Sequence, residues 1–274
     1  MLWFLLAFAI DLIPTTIPQG QVARLKAPPS AVSARVGDRT IPLFPDANDG
    51  RTTLLPVSAL ETPGERTLEV LDSTGKVLET RKFTIVDAHF KTQNVTLGKE
   101  LQELKPAPGE METVAALRKT VSPDRHWTEP FEGPVPGCMT SPYGVQRLHN
   151  GKPTGNYHSG IDNRGAEGTP IRAITDGVVR IVRKFNIHGD LVGIDHGQGV
   201  TSFYLHMSRF ATSEGAAVKK GDVIGYIGST GRSTAPHLHW SLDVHGIPVN
   251  PAQWLSLTPC SNAPTPAAKR RRRR

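Results

Sequence analysis

The sequence predicts a mostly β protein in which two β-rich parts are joined by a short helical connector. Glycine and proline are frequent, with 26 and 23 of 274 residues, and they favour short strands and many turns over long helices. Runs of β-type residues alternate with turn segments on both sides of a stretch of helical character. We therefore expect an N-terminal β-sandwich, immunoglobulin-like in layout, and a C-terminal antiparallel β-sheet domain.

The N-terminal sandwich is predicted over residues 31–90. Short β-type runs recur there at the spacing of a small sandwich: Ala31–Val36, Thr67–Leu71 and Lys82–Val86. The segments between them are rich in Asp, Asn, Gly and Pro, the residues that turn geometry requires. No group of residues in this part indicates catalysis.

Residues 1–20 have the character of a signal segment. Their first ten residues are apolar, a run too short to span a bilayer but suited to the hydrophobic region of a secretory signal. No Lys or Arg precedes the run and no clear small-x-small cleavage site follows it, so a buried strand or a misassigned start codon is the alternative. Residues 11–30, rich in Pro, Gln and Thr, are predicted to be a linker.

The helical connector is predicted over residues 98–130. Lys99–Lys105 and Glu110–Thr120 have helical character, and prolines 106 and 108 interrupt them. Leucine and valine recur in both pieces at helical spacing, which indicates a face that packs on one of the domains. No segment of the chain is predicted to be a transmembrane helix.

Most of the net charge of +7 comes from the C-terminus. Residues 269–274 supply six positive charges, which leaves +1 for the rest of the chain. Residues 261–274 are therefore predicted to be a disordered basic tail rather than part of a binding face; a weak tether to anionic polymers is the alternative. Aromatic residues make up only 6% and none lies within the tail. This composition argues against a stacking surface for nucleic acid.

The C-terminal domain is predicted over residues 138–257. Strand-like runs are Thr169–Val182, Leu191–Asp195, Gly199–Tyr204, Asp222–Ile227 and His237–Val244. Strands do not alternate with helices here, and no phosphate-binding glycine motif opens a helix, which excludes a nucleotide-binding sheet. Cys138 and Cys260 bracket this domain, and they form either a disulfide or two separate thiols.

Histidines with suitable spacing indicate a metal site in this domain. His158 and Asp162 are four residues apart, but the glycines around them argue against a helix. His237 and His239 are alternate residues of a predicted strand, so both can face one point. His206 ends another predicted strand. Histidine and carboxylate together suit zinc, but spacing alone does not say which of these residues bind the ion.

Residues 141–251 resemble the lysostaphin-type zinc metallopeptidases, which cut peptidoglycan cross-links. The resemblance is carried by Ser141–Gly144, His158–Asp162, Gly168–Ile171, Ala173–Val178, Ile194–Gly197, Tyr204–Ser208, Val218–Asp222, Ile224–Gly228, Thr230–Arg232 and Pro236–His239. The sandwich and the connector resemble, more loosely, the accessory region of exported bacterial members. Location in the periplasm or cell envelope is the corresponding expectation.

The resemblance implies one zinc ion and a set of residue roles. His158, Asp162 and His239 become the zinc ligands, and His206 and His237 the unliganded catalytic histidines. Zinc-bound water would be the nucleophile, with His237 as general base or as a partner of His206 in stabilising the oxyanion. The division between these two roles stays open. Tyr204 is expected to orient the substrate.

The implied substrate is the peptide part of peptidoglycan, cross-linked either through glycine-rich bridges or directly through D-amino acids. No C-terminal wall-targeting domain is recognisable, which favours the direct cross-link. Some family members are blocked by an upstream segment, and His149 and Asn156 are the residues near enough to consider. The alternatives are a catalytically silent activator of other cell-wall hydrolases and a lipoyl- or biotinyl-type carrier, for which a suitable hairpin lysine is missing. The sequence does not indicate an oligomeric state.

Overall fold

The computed structural model describes residues 10–255 and Cys260. Within them the protein is mostly β, with two short helices, which confirms the predicted fold class. The signal-like run falls mainly on residues 1–9 and the basic tail on 261–274, so both predictions lie outside the described residues. None of the described helices has the length and apolar character needed to cross a membrane.

Two sheets of the N-terminal part share one core. The four-stranded sheet has the order β1–β3–β7–β6 and consists of β1 (Asp11–Ile13), β3 (Val22–Ala27), β6 (Phe44–Pro45) and β7 (Arg51–Pro56). The five-stranded sheet has the order β2–β9–β8–β4–β5 and consists of β2 (Thr16–Pro18), β4 (Ala31–Val36), β5 (Arg39–Pro42), β8 (Gly64–Asp72) and β9 (Val77–Val86). Apolar side chains from both sheets form a single buried cluster. The immunoglobulin-like layout stays a prediction.

The predicted linker at residues 11–30 is wrong. This segment supplies β1, β2 and β3, and its apolar side chains, among them Leu12, Ile17 and Leu25, are buried in the core between the two sheets. The strands are short and prolines separate them, so the composition resembles that of a linker. Burial of alternate apolar residues by both sheets outweighs this local signal.

The helical connector packs on the C-terminal domain. Its helices are α1 (Lys99–Glu103) and α2 (Glu110–Arg118). Val114 and Leu117 of α2 are buried in a cluster with apolar side chains of the C-terminal sheet, including Leu191 and Phe203. Just before the connector lies β10 (Thr92–Val95), which was not predicted.

The C-terminal domain is built on a ten-stranded antiparallel sheet. Seven strands follow the path β11–β14–β21–β18–β17–β16–β19; β15 pairs with β20, β20 also with β18, and β22 with β21. They are β11 (Met139–Ser141), β14 (Ile161–Arg164), β15 (Pro170–Arg172), β16 (Gly177–Lys184), β17 (Asp190–Gly197), β18 (Val200–Phe210), β19 (Ala217–Val218), β20 (Val223–Ile227), β21 (His237–Val244) and β22 (Ile247–Val249). Only the predicted run 169–182 is divided, into β15 and β16.

A small third sheet lies beside the large one. It has the order β10–β12–β13, with β12 (Gln146–His149) and β13 (Lys152–Tyr157). Strand β10 pairs in parallel with β12, so the segment just before the connector adds a strand to the C-terminal domain. A 3-10 turn at Pro251–Gln253 follows the last strand.

The two cysteines are joined by a disulfide. The Cα atoms of Cys138 and Cys260 lie 4.9 Å apart and their sulfur atoms are bonded. The backbone N–H of Cys260 also donates to the carbonyl of Met139 in β11. The chain after β22 is thereby fixed to the first strand of the large sheet.

Candidate metal centre and catalytic cleft

Three side chains that the sequence indicated as ligands converge on one point. His158 follows β13, Asp162 lies on β14 and His239 lies on β21. The Oδ1 atom of Asp162 is 3.0 Å from His158 Nε2 and 2.8 Å from His239 Nδ1, and these two nitrogens are 3.0 Å apart. Asp162 and His239 are direct cross-strand neighbours in the antiparallel pair.

A glycine allows this convergence. A Cβ atom on Gly160 would lie 2.3 Å from the carbonyl oxygen of Trp240 and 2.8 Å from His239 Nε2. Any side chain at position 160 would therefore clash with β21, so only glycine is accommodated there. The four-residue spacing is therefore spanned by a turn and the start of a strand, in agreement with the prediction that it is not helical.

The donor set fits a divalent cation such as zinc. The Nδ1 atom of His158 lies 2.8 Å from the carbonyl oxygen of Pro142, so the proton belongs on Nδ1 and the lone pair of Nε2 faces Asp162. Burial opposes ionisation of Asp162, but the charges and hydrogen bonds of His158 and His239 outweigh it and hold its pKa well below the usual range. Burial lowers the pKa of His239 to about 4, which favours the neutral, ligating form.

Arg147 supports the second oxygen of Asp162. Its guanidinium lies 3.1 Å from Asp162 Oδ2 and 3.2 Å from Ser141 Oγ. Oδ1 therefore faces the ligand atoms while Oδ2 is held from behind, an arrangement typical of the outer shell of a metal site. Sequence analysis did not identify Arg147, since its strand β12 lies outside the sheet that carries Asp162.

His206 and His237 lie beside the three ligand atoms. Their ring centroids are 5.1 Å apart, and His237 Nε2 is 3.8 Å from Asp162 Oδ1. Each Nδ1 lies 2.8 Å from a backbone carbonyl, that of Thr230 for His206 and that of Ala235 for His237. Both histidines therefore keep an Nε2 atom that is not engaged by the backbone.

The backbone of His206 has an unusual conformation. Its φ of 62° lies in the left-handed region, which is uncommon for a residue other than glycine. Its N–H donates to the carbonyl of His188 at 3.1 Å, so two backbone carbonyls hold this residue. Burial lowers the pKa of the imidazole to about 3, which keeps it neutral near pH 7.

Glu110 is a buried residue that sequence analysis missed. Its side chain is 0% exposed, and its carboxylate accepts hydrogen bonds from the backbone N–H groups of Ala107, Asn186, Ile187 and His188 and from the ring of His188 at 2.6 Å. A carboxylate from α2 thus orders the loop whose last carbonyl holds His206. The contact joins segments 76–78 residues apart, and no local pattern signals it.

Tyr204 and the two candidates for a blocking residue occupy different places. Tyr204 is fully buried, and its hydroxyl lies 3.2 Å from Ser202 Oγ and from the backbone nitrogen of Ile174. Its pKa is raised to about 12 by burial. Tyr204 therefore does not line the cleft, and its expected role in orienting the substrate stays a prediction. His149 and Asn156 do line the cleft.

Comparison with known proteins identifies the family of this domain. Residues 156–251 match the sequence model of Peptidase family M23. They form a peptidase family M23 domain. This match confirms the resemblance found from the motifs, and it spans His158, Asp162, His206, His237 and His239.

Curated relatives of the M23 domain are named as peptidases, and some of the names include peptidoglycan. The chain is 44% identical over 121 residues to DD-carboxypeptidase/endopeptidase Mpg of Neisseria meningitidis, which is 44% of this chain and 28% of that protein. It is 39% identical over 112 residues to peptidoglycan DD-endopeptidase ShyA of Vibrio cholerae, which is 41% of this chain and 26% of that protein. The chain spans just over a quarter of the length of these relatives.

One solved structure resembles more than the M23 domain. A crystal structure from Pseudomonas aeruginosa, assigned to peptidase M23, superposes with a TM-score of 0.66 at 25% identity. The likeness covers 86% of this chain and 93% of that chain. Since the M23 match begins at residue 156, the similarity extends to the connector and to much of the N-terminal part.

Proposed function

We propose that the protein is a zinc-dependent endopeptidase that hydrolyses peptide cross-links of bacterial peptidoglycan. The observation that carries the proposal is the convergence of one oxygen and two nitrogen atoms of Asp162, His158 and His239 within 4.8 Å of one another, with two further histidines alongside. The names of the M23 relatives support peptidoglycan as substrate and a cell-envelope location.

His158, Asp162 and His239 would hold one zinc ion. Three protein ligands leave a coordination position open, as in catalytic rather than structural zinc sites. A zinc ion bound there supplies Lewis-acid polarisation of the scissile carbonyl and lowers the pKa of a water molecule. Arg147 holds Oδ2 of Asp162 and leaves Oδ1 on the side of the two histidine nitrogens, from where it would serve as the ligand.

His237 and His206 would carry out the proton transfer and charge stabilisation. Their Nδ1 atoms face backbone carbonyls, which sets the tautomer in which Nδ1 carries the proton. The Nε2 atom of His237, on the side of Asp162, is then an acceptor suited to general-base work. Once His237 has accepted a proton, its Nε2–H would donate to the negative charge that develops on the carbonyl oxygen, and His206 would share this role only in a form whose Nε2 carries a proton.

The two parts before the M23 domain would be accessory. We propose a sandwich domain over 31–90, which the strands at residues 11–27 extend toward the N-terminus. A connector over 98–130 would pack against the M23 domain at 138–257. Direct cross-links between D-amino acids are the proposed bond, as in the DD-endopeptidase relatives.

The test is digestion of purified peptidoglycan by the protein with and without a metal chelator. We expect soluble muropeptides whose masses correspond to cleaved cross-links, loss of their release with chelator, and recovery on adding zinc. The control is His237→Ala, which keeps the three ligands but lacks the proposed base. Absence of chelator-sensitive release would favour the alternative of a catalytically silent activator. That alternative is tested by measuring whether the protein increases muropeptide release by a second cell-wall hydrolase.

A further inference from the structure

The cleft over the metal centre carries an excess of positive charge. The described residues that line it include three arginines, Arg147, Arg164 and Arg232, but a single carboxylate, Asp162. Arg147 is paired with that carboxylate at 3.1 Å. Across the described residues, no carboxylate lies within ion-pair distance of Arg164 or Arg232. A cleft lined by one sign of charge concentrates ligands of the opposite sign.

Arg164 is placed beside the proposed catalytic base by the register of the sheet. It is the last residue of β14 and lies directly opposite His237 of β21, two positions along from the pair of Asp162 and His239. Directly opposed residues of an antiparallel pair have Cβ atoms about 4.5–5.5 Å apart. The Arg164 side chain therefore starts next to His237.

The alternation of the strand shows which way Arg164 points. Asn163 and Leu238, between the two pairs, are 1% and 0% exposed and belong to the buried face of the sheet. Alternate residues share a face, so Arg164 lies on the open face with Asp162. It is an exposed residue of the cleft wall.

We propose that Arg164 binds a free carboxylate of the substrate peptide beside the scissile bond. This inference rests on the proposed function and narrows its substrate class. Peptide stems cross-linked through D-amino acids carry free carboxylates close to the cross-link, whereas an oligoglycine bridge carries none along its length. The guanidinium offers two parallel N–H donors to such a group, which gives orientation as well as attraction.

The experiment compares two synthetic cross-linked peptides that differ in one group. Both contain the same D-alanyl amide bond, and the carboxyl group next to it is free in one and a carboxamide in the other. Dissociation constants are measured by calorimetry and hydrolysis by chromatography. Since only the free carboxylate can accept a charge-assisted hydrogen bond from Arg164, we expect the zinc-loaded protein to prefer it by about tenfold.

Three variants locate the preference. Arg164→Gln should weaken binding of the carboxylate peptide about tenfold, mainly through KM in the hydrolysis assay, and leave the carboxamide peptide unchanged. Arg164→Lys should retain part of the preference, because the charge stays and the paired geometry is lost. Arg172→Gln is the matched control, since Arg172 is an exposed strand arginine whose guanidinium donates to the carbonyl of Gly221 at 2.8 Å and which does not line the cleft among the described residues.

The outcomes separate this inference from the proposed function. Equal affinity of the protein for the two peptides, or an equal loss for both in Arg164→Gln, would overturn the role of Arg164 even if both peptides are cleaved. A carboxylate preference that depends on Arg164 without hydrolysis would support the subsite and count against endopeptidase activity. Binding of neither peptide would overturn the subsite.

Discussion

The two sides of the cleft are held in place by different means. On the sheet side, defined by His158, Asp162, His237 and His239, positions follow from the register of β14 against β21 and from turns of a few residues. On the loop side, defined by His206 with its supports His188 and Thr230, the strand is irregular. His206 lies on β18, which pairs with β21, but its φ of 62° interrupts the regular strand, so its position also depends on contacts with distant segments.

This difference has consequences for what each side can tolerate. A strand register is maintained by many hydrogen bonds at once, so single changes nearby remove a side chain without moving the rest. Beyond the pairing of β18, the loop side depends on one buried carboxylate, Glu110, and a few backbone carbonyls. We expect changes on the sheet side to remove a chemical group and changes on the loop side to displace one.

The largest effect is expected from two substitutions on the sheet side that separate binding from chemistry. His158→Ala removes a ligand, so metal and turnover should both be lost. His237→Ala should keep one zinc per chain and lower turnover by about 10²- to 10⁴-fold, the usual contribution of a general base. Metal content is measured by mass spectrometry and turnover by muropeptide release. Activity retained in both variants would refute the site assignment.

A smaller effect on the sheet side is expected from Arg147→Gln. Removal of an outer-shell partner weakens metal binding by about 10- to 100-fold in comparable sites. The loss of orientation should outweigh the relief of repulsion between the guanidinium and the cation, because the open cleft screens that repulsion. Competition with a zinc-binding dye measures the affinity, with Arg172→Gln as control. Tighter zinc binding in Arg147→Gln would show that repulsion dominates.

The loop side is tested by Glu110→Gln. One oxygen that accepts hydrogen bonds becomes an NH2 group facing N–H donors, and each donor left unpaired in a buried position costs about 1–3 kcal/mol. The loop at 186–188 should open, and we expect turnover to fall about tenfold while zinc content stays at the normal level. Hydrogen exchange of the loop amides, measured with turnover, checks the link.

The matched control for this variant is Glu112→Gln, an exposed carboxylate of the same helix. It should leave both exchange and turnover unchanged. If Glu110→Gln speeds amide exchange in the loop but leaves turnover unchanged, then Glu110 supports the fold alone and does not position His206.

The sequence predicts the sheet side of the cleft better than the loop side. The pairs His158/Asp162 and His237/His239 are close in the chain, and strand alternation was enough to place His237 and His239 on one face. The bounds of β21 were predicted as they occur, because its apolar residues alternate regularly. His206 needed the family resemblance, and Glu110 carries no local signal, since its partners are 76–78 residues away.

The fold shows the same limit outside the site. Strand β3 has an alternating pattern, but its polar neighbours and the prolines around it resembled a linker. Residues 11–30 form strands because β2 pairs with β9 and β3 pairs with β7, and both partners lie further along the chain. The pairing of Cys138 with Cys260 was left open for a similar reason, because a bond across 122 residues depends on where the ends of the domain meet.

The disulfide gives the smallest expected effect on the cleft. Cys138 precedes β11, which pairs with β14 on the sheet side. Replacing both cysteines with serine removes a loop constraint of 122 residues from the unfolded chain, a loss of up to about 5 kcal/mol in the chain-entropy account. We expect a lower Tm with unchanged zinc content and turnover at 25 °C, because the β14–β21 register does not need the bond. Loss of zinc at a temperature where the variant is folded would instead show that the covalent link helps to hold the sheet side in register.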